Sequence, residues 1–181
     1  MPSLFVARRG ASLLTLVDSY SESNKDNDAP LDVDQYNKAG QCFTAIAGNL
    51  KYMLFYLAKV GAPTGNAVAT LYNLTGTFGT NAQPTGSALA TSDNFDVTTL
   101  TTSFSLIAFK FSGVNQFTLV NGSNYCAAIE YAGGTIGVNY VRFGYDVSSP
   151  SHAGNFASYN IPVPGAWSGD NSVDMIFYVY V

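Results

Sequence analysis

The chain has 181 residues, of which 47% are hydrophobic and only 11% are charged, and its net charge is −4. A chain of this size exposes roughly 8,400 Å² when folded and about 28,000 Å² when unfolded, so one hydrophobic core is expected. The acidic balance leaves few cations to neutralise phosphates, which argues against a nucleic-acid partner. The longest apolar run, at residues 52–58, is far shorter than the roughly 20 residues of a membrane-spanning helix, so no membrane insertion is expected.

The N-terminus partly imitates a signal peptide, because Arg8 and Arg9 precede a short apolar run at residues 11–17. A leader of this kind has a basic region, an apolar core and a small-residue cleavage site. Here residues 4–6 are apolar and precede the arginines, Asp18 ends the second run, and no clear cleavage site follows. We therefore predict two early strands and no cleaved leader.

Half of the acidic residues lie in one short segment, residues 18–34. The segment has no helical or strand periodicity, which predicts a solvated loop. We expect residues 1–40, with their early strands and this loop, to belong to the same domain as a sandwich formed by residues 41–181. Clustered carboxylates are ligands that calcium prefers, although the glycine and terminal glutamate of an EF-hand loop are missing. The candidate calcium ligands are Asp26, Asp28, Asp32 and Asp34, and the alternative is an acidic loop without a metal.

Residues 41–181 predict a series of short strands separated by turns. Residues 52–58 are apolar on both faces, which is typical of a strand covered on both sides or lying at a subunit contact. A strand at residues 66–74 follows, and then a long polar loop is predicted at residues 75–86. A further strand is predicted at residues 104–111.

Asn121 and Gly122 lie between apolar runs at residues 117–120 and 125–131, a pattern that predicts a β-hairpin. Two more strands are predicted at residues 138–145 and 173–181. With about ten short strands and no sustained helical periodicity, the sequence predicts an all-β fold, an antiparallel β-sandwich of jelly-roll-like type.

The two cysteines, Cys42 and Cys126, lie on separate predicted strands and lack the spacing of a zinc site. A disulfide between them requires that the strands be neighbours and that the compartment be oxidising. Free thiols are the favoured alternative.

Catalytic chemistry finds little support in the sequence. His152 is the only histidine, and no nucleophile motif accompanies it, so we expect a loop histidine that hydrogen-bonds its neighbours. A glycoside hydrolase would need two facing carboxylates. No motif marks such a pair among Asp93, Asp96, Glu130, Asp146, Asp170 and Asp174. We predict a non-enzymatic protein without a cofactor, calcium excepted.

Glycan binding needs exposed aromatic rings beside amide and hydroxyl groups. Trp167 lies in a turn-rich segment, and other aromatic residues are near it in the sequence. The candidate glycan-binding residues are Trp167, Tyr145, Phe156, Tyr159 and His152. The alternative is that Trp167 closes the edge of the core.

Several segments together resemble one family of β-sandwich domains. They are residues 17–24 (VDSYSESN), 39–44 (AGQCFT), 55–67 (FYLAKVGAPTGNA), 84–92 (PTGSALATS), 118–134 and 149–156 (SPSHAGNF). Their order is similar to that of the choice-of-anchor R type of domain. The resemblance implies a jelly-roll-like module of bacterial surface proteins and phage structural proteins, without an established catalytic role.

These observations lead to one functional prediction. We expect no sorting tail after Val181, and this expectation favours a virion component over an anchored cell-surface protein. We expect a virion structural or decoration protein, or another extracellular accessory protein, that forms homo-oligomers and contacts other virion or surface proteins. A carbohydrate-binding or adhesin module that recognises glycans is the alternative, and a hydrolase comes third.

Overall fold

The computed structural model describes residues 14–161 and 165–181, and their secondary structure is almost entirely β. The strands are β1 (Leu16–Tyr20), β2 (Asn27–Leu31), β3 (Tyr36–Thr44), β4 (Gly48–Asn49), β5 (Tyr52–Val60), β6 (Asn66–Thr75), β7 (Gln83–Thr91), β8 (Phe95–Asp96), β9 (Ser105–Lys110), β10 (Thr118–Leu119), β11 (Asn124–Tyr131), β12 (Tyr140–Asp146), β13 (Phe156–Asn160), β14 (Ala166–Asp170), β15 (Asp174–Met175) and β16 (Phe177–Tyr180). Short 3-10 turns are found at Glu22–Asn24, Val97–Thr99 and Gly113–Asn115. No helix in the described ranges has the length and apolar character needed to cross a bilayer.

Within the described residues, two seven-stranded antiparallel sheets face each other. In the front sheet the order is β1-β16-β5-β12-β15, with β2 paired to β12 and β9 paired to β5. In the rear sheet the order is β14-β13-β3-β11-β6-β7, with β8 paired to β6. The structure confirms the predicted all-β, antiparallel sandwich.

The core lies between the sheets because each strand presents alternate side chains to its two faces. On β5, Met53, Phe55 and Leu57 are buried, whereas Tyr52 and Leu54 are half-buried on the outer face of the front sheet. The inner faces are rich in phenylalanine. Phe43, Phe55, Phe109, Phe143 and Phe177 are all at most 1% exposed.

The acidic segment is not the solvated loop that its composition predicts. β2 pairs with β12 from Asn27 to Leu31, and Asp32 is completely buried. The prediction failed because Asn, Asp and Pro have low strand propensity, and pairing with a buried central strand overrides that preference. Of the two early strands, the one at residues 4–6 lies outside the described residues, and only the end of the second run falls in β1.

The predicted loop at residues 75–86 is also too long. β6 and β7 pair up to Thr75 and Gln83, so that only residues 76–82 connect them. β7 is an edge strand whose centre is exposed, and such a strand needs no apolar alternation to form.

The predicted hairpin around Asn121 and Gly122 is wrong in its pairing. A turn does form, with the Ser123 N–H donating to the Val120 carbonyl at 3.1 Å. However, β10 pairs with β4, because both edges of β11 are occupied by β3 and β6.

Candidate functional site

A cleft opens where the edges of the two sheets diverge, between β2 and β12 in the front sheet and β13 and β14 in the rear sheet. Its volume is about 330 Å³. The lining residues are Ala29, Tyr36, Phe143, Tyr145, Phe156, Ser158, Asn160, Ser168, Asp170 and Val173. Apolar walls with a few polar groups are characteristic of small-molecule sites.

The alternation of side chains along two paired strands builds the rear wall of the cleft. Phe156, Ser158 and Asn160 of β13 line it, whereas Tyr159 belongs to the opposite face. On β14, Ser168 lines the cleft, and its neighbour Trp167 lies on the far side of the sheet. One face of this strand pair therefore carries hydroxyl and amide groups beside the Phe156 ring, and the other carries the Tyr159 and Trp167 rings.

An aromatic wall continues the hydrophobic core into the cleft. The Phe143 and Phe156 rings are stacked, with centroids 6.0 Å apart and planes at 22°. Tyr145 packs beside Phe143 at 5.9 Å and is half-buried. Burial raises the pKa of the Tyr145 hydroxyl, and the negative charges of Asp28 and Asp26 raise it further. The hydroxyl is therefore a neutral hydrogen-bond donor and acceptor at physiological pH.

Four hydroxyls of the cleft have no partner among the described residues. The hydroxyls of Tyr36, Tyr145, Ser158 and Ser168 form no hydrogen bond with any other residue in the described ranges. None of these four oxygen atoms is buried away from solvent. Asp170 at the rim accepts hydrogen bonds from the backbone and hydroxyl of Ser172 at 2.8 and 2.7 Å.

Trp167 lies on the outer face of the rear sheet, away from the cleft. Its ring contacts the rings of Tyr72 and Tyr159 edge to face, with centroids 5.7 and 5.6 Å apart. It packs on a second, smaller apolar cluster of Cys42, Tyr72, Ala82, Cys126, Ala128 and Ala157. The geometry therefore favours the role of Trp167 as a cover over this cluster.

Beside Trp167, a polar group of the outer face is fully used by the protein itself. Lys38 pairs with Glu130 at 2.9 Å, and the hydroxyls of Thr70 and Tyr72 both donate to the other Glu130 oxygen, at 2.6 and 2.5 Å. The Lys38 ammonium also lies over the Tyr72 and Tyr159 rings. This arrangement holds β3, β6 and β11 together.

His152 is part of a buried network between the sheets. Its Nδ1 accepts from the Gly154 N–H at 3.0 Å, and its Nε2 lies 3.3 Å from an oxygen of Asp18. Its backbone N–H donates to the buried Asp174 at 2.7 Å. His152 therefore has the neighbour-bonding role that its loop sequence predicts, and it does not line the cleft.

A measurable pH dependence follows from the His152 and Asp18 pair. Burial lowers the pKa of His152, but the hydrogen bond and charge of Asp18 outweigh it, so the pKa lies above its ordinary value. A pKa raised by folding gives stability that is present below the unfolded-state pKa and lost as the pH rises through the folded-state value. We expect Asp18→Asn to lower the pKa of His152, because burial remains.

An NMR titration of the ring protons measures this pKa directly, since His152 is the only histidine. Asp34→Asn, at an exposed aspartate, is the matched control and should leave the titration unchanged. A wild-type pKa at or below the ordinary value would contradict the prediction.

The four candidate calcium ligands have separate positions. Asp26 accepts from the Val147 and Ser148 N–H groups at 3.0 and 2.9 Å. Asp28 forms a two-pronged ion pair with Arg142. No group of three or more His, Cys, Asp or Glu residues in the described part of the chain is placed to hold a metal ion.

The remaining two candidates, Asp32 and Asp34, lie in the turn between β2 and β3. One oxygen of Asp32 accepts from the Asp34 and Gln35 N–H groups at 2.7 and 2.8 Å. The other is buried without a partner in the described residues. Asp34 accepts from the Ile136 N–H at 3.4 Å. A calcium site here stays a prediction.

Cys42 and Cys126 lie directly opposite each other on the neighbouring strands β3 and β11. Both thiols are free and fully buried. Burial raises the pKa of the Cys126 thiol well above its usual range, and its neighbour Cys42 adds to this shift. The first condition for a disulfide, that the strands be neighbours, is met.

Sequence reasoning found Tyr145 and Phe156 but missed the other residues of the cleft. The signal that could have found them is a period of two along β13 and β14, which places Ser158, Asn160, Ser168 and Asp170 on one face. Comparison with protein-family models, with curated proteins and with solved structures finds no match for this chain. The resemblance to choice-of-anchor R domains therefore stays a prediction.

Proposed function

We propose that the chain is a non-enzymatic structural or accessory protein of a virus particle or a cell surface, which acts through protein contacts and associates with copies of itself. The observation that carries this proposal is an apolar patch on the outer face of the front sheet. The patch consists of Leu14, Tyr52, Leu54, Ala108 and Tyr180.

The pairing of three strands makes the patch continuous. Leu54 of β5 lies opposite Ala108 of β9 on one side and opposite Tyr178 of β16 on the other. Tyr52 lies opposite Tyr180 in the same way, and Leu14 is 51% exposed beside them. Exposed apolar surface of this kind marks interaction sites.

A second copy of the chain suits this patch. None of its five residues is charged, so the patch has no charge pattern that would select a partner of opposite charge. A like surface complements it by simple apolar contact, as in homodimers whose interface resembles a divided core. The exposed location of the assembly rests on the predicted resemblance to choice-of-anchor R domains, which the sequence segments alone carry.

We expect Leu54→Asp to abolish self-association, because it places a charge in the centre of the apolar contact. Size-exclusion chromatography with light scattering measures the mass of each variant. Val114→Asp is the matched control, since Val114 is fully exposed in a turn outside the patch. A wild-type chain that is monomeric at every concentration tested would overturn the proposal.

The virion location has its own test. Genes for capsid or tail proteins beside the coding sequence, together with binding of the purified chain to the corresponding particles, would support it. Failure to bind those particles, at concentrations where the chain self-associates, would contradict it.

Glycan recognition, as in a carbohydrate-binding or adhesin module, is a second candidate function. The cleft favours it, because aromatic rings lie there beside hydroxyls that have no partner in the described part of the chain. A glycan array that gives no hits, together with an NMR titration in which no sugar at millimolar concentration shifts any backbone signal, would exclude it.

A further inference from the structure

We infer that the cleft between β2, β12, β13 and β14 is a binding site for a single neutral or amino pyranose, whose ring faces the Tyr145 and Phe156 wall. This inference rests on the second candidate function and places it at a defined site. Nothing in it depends on self-association through the apolar patch.

The cleft combines the two features that a pyranose requires. The apolar face of the sugar ring packs on aromatic surface, which the half-buried Tyr145 ring supplies, with Phe156, 9% exposed, beside it. The sugar hydroxyls need partners that can both donate and accept, and the hydroxyls of Tyr36 and Ser158, which bond to no other described residue, are of this type. A ligand without hydroxyls would leave these groups unsatisfied.

The size of the cleft sets the size of the ligand. A volume of about 330 Å³ is at the lower end of the range for small-molecule sites. It accommodates one sugar ring with its ordered waters, and the open side allows a longer chain to continue into solvent.

The charge of the rim disfavours acidic sugars. Asp170 lines the rim of the cleft, and no basic side chain is among the described residues that line it. A uronic or sialic acid would bring its carboxylate near the negative charge of Asp170, whereas a neutral sugar or a protonated amino sugar meets no repulsion.

The outer face around Trp167 is a weaker alternative, although it has more aromatic rings. The Trp167 ring covers the cluster that contains Cys42 and Tyr72. The nearby Glu130 oxygens already bind Lys38, Thr70 and Tyr72. Few polar groups remain there to orient a sugar.

NMR titration of the full chain with methyl glycosides of glucose, galactose, mannose and N-acetylglucosamine, with glucosamine, and with glucuronic acid tests the inference. Binding of one ring in an open cleft is expected to be weak, with a Kd of about 1 mM or above. We expect at least one neutral or amino sugar to shift the backbone amide signals of β13 and β14. Glucuronic acid should shift none of them.

Two variants and two controls locate the ligand on one face of the same strands. Ser168→Leu fills the cleft and should raise Kd by at least about tenfold, and Tyr145→Phe, which removes only a hydroxyl, should raise it several-fold. Tyr159→Phe and Trp167→Phe lie on the opposite face and should leave Kd within about twofold of wild type.

Three results would overturn the inference. The first is that no neutral or amino sugar shifts the cleft signals, and the second is that glucuronic acid binds as well as the neutral sugars. The third is that Trp167→Phe abolishes binding while Ser168→Leu does not, which would leave glycan recognition standing but place it on the outer face.

Discussion

Gln41→Met is expected to reduce the free energy of unfolding by about 4 kcal/mol, because it leaves several buried groups without hydrogen bonds. The Gln41 amide donates to the Gly154 carbonyl and to the Asp174 carboxylate, both at 2.9 Å. Its oxygen accepts from the Met175 N–H at 2.8 Å. One fully buried side chain thus joins the rear sheet, the loop at residues 147–155 and the front sheet.

The charge on Asp174 accounts for much of the expected loss. This carboxylate is only 3% exposed, and burial raises its pKa in the folded protein. Without the Gln41 amide it loses a donor, although the His152 N–H still donates to it. Because protonation removes the buried charge, the destabilisation by Gln41→Met should be smaller in acid than at neutral pH.

Chemical denaturation of the wild-type and variant chains measures this difference. Gln35→Met is the matched control, since the Gln35 side chain is exposed, and it should change the free energy of unfolding by less than about 0.5 kcal/mol. A loss below about 1 kcal/mol for Gln41→Met would show that the network is not needed for stability.

The strands that sequence analysis located correctly are those with an apolar period of two. β5, β6, β9, β11 and β12 all contribute buried residues to the core between the sheets, and packing of such residues decides their conformation. β2 and β7 lack this apolar period, and the sequence analysis therefore missed them. They are held by backbone pairing to β12 and β6, and their side chains carry no pattern that would reveal it.

The candidate site shows a related limit of sequence reasoning. Tyr145, Phe156, Tyr159 and Trp167 were grouped because they are close in sequence, but the rear sheet separates the first two from the last two. Neighbouring residues on a strand point to opposite faces, so proximity in sequence does not imply a common surface. Assigning alternate residues of β13 and β14 to opposite faces would have predicted this separation. That β12 and β13 lie on the two sides of one cleft depends on the tertiary fold, which the pattern does not give.

The geometry of the two cysteines supports a disulfide that closes without rearrangement of the sheet. The Cys42 N–H donates to the Asn155 carbonyl at 2.9 Å, on the side away from β11. Cys42 and Cys126 are therefore a non-hydrogen-bonded pair, the arrangement in which opposite side chains approach most closely. The separation of Cα atoms in such pairs falls within the range that disulfides span.

We expect the chain refolded with oxidised glutathione to form the Cys42–Cys126 bond, losing two hydrogen atoms while the disulfide of glutathione is reduced to two thiols. Closure of so long a loop should raise the free energy of unfolding by about 4.5 kcal/mol, because it restricts the unfolded chain. Oxidation after folding should be slow, since the raised pKa of Cys126 leaves little thiolate.

Intact mass under denaturing conditions and a rise in Tm of roughly 10 °C report the bond, and Cys42→Ser is the control that should show neither. If the bond forms but the free energy of unfolding does not exceed that of Cys42→Ser, closure strains the outer face of the rear sheet. A refolded wild-type chain that keeps both thiols would refute the pairing.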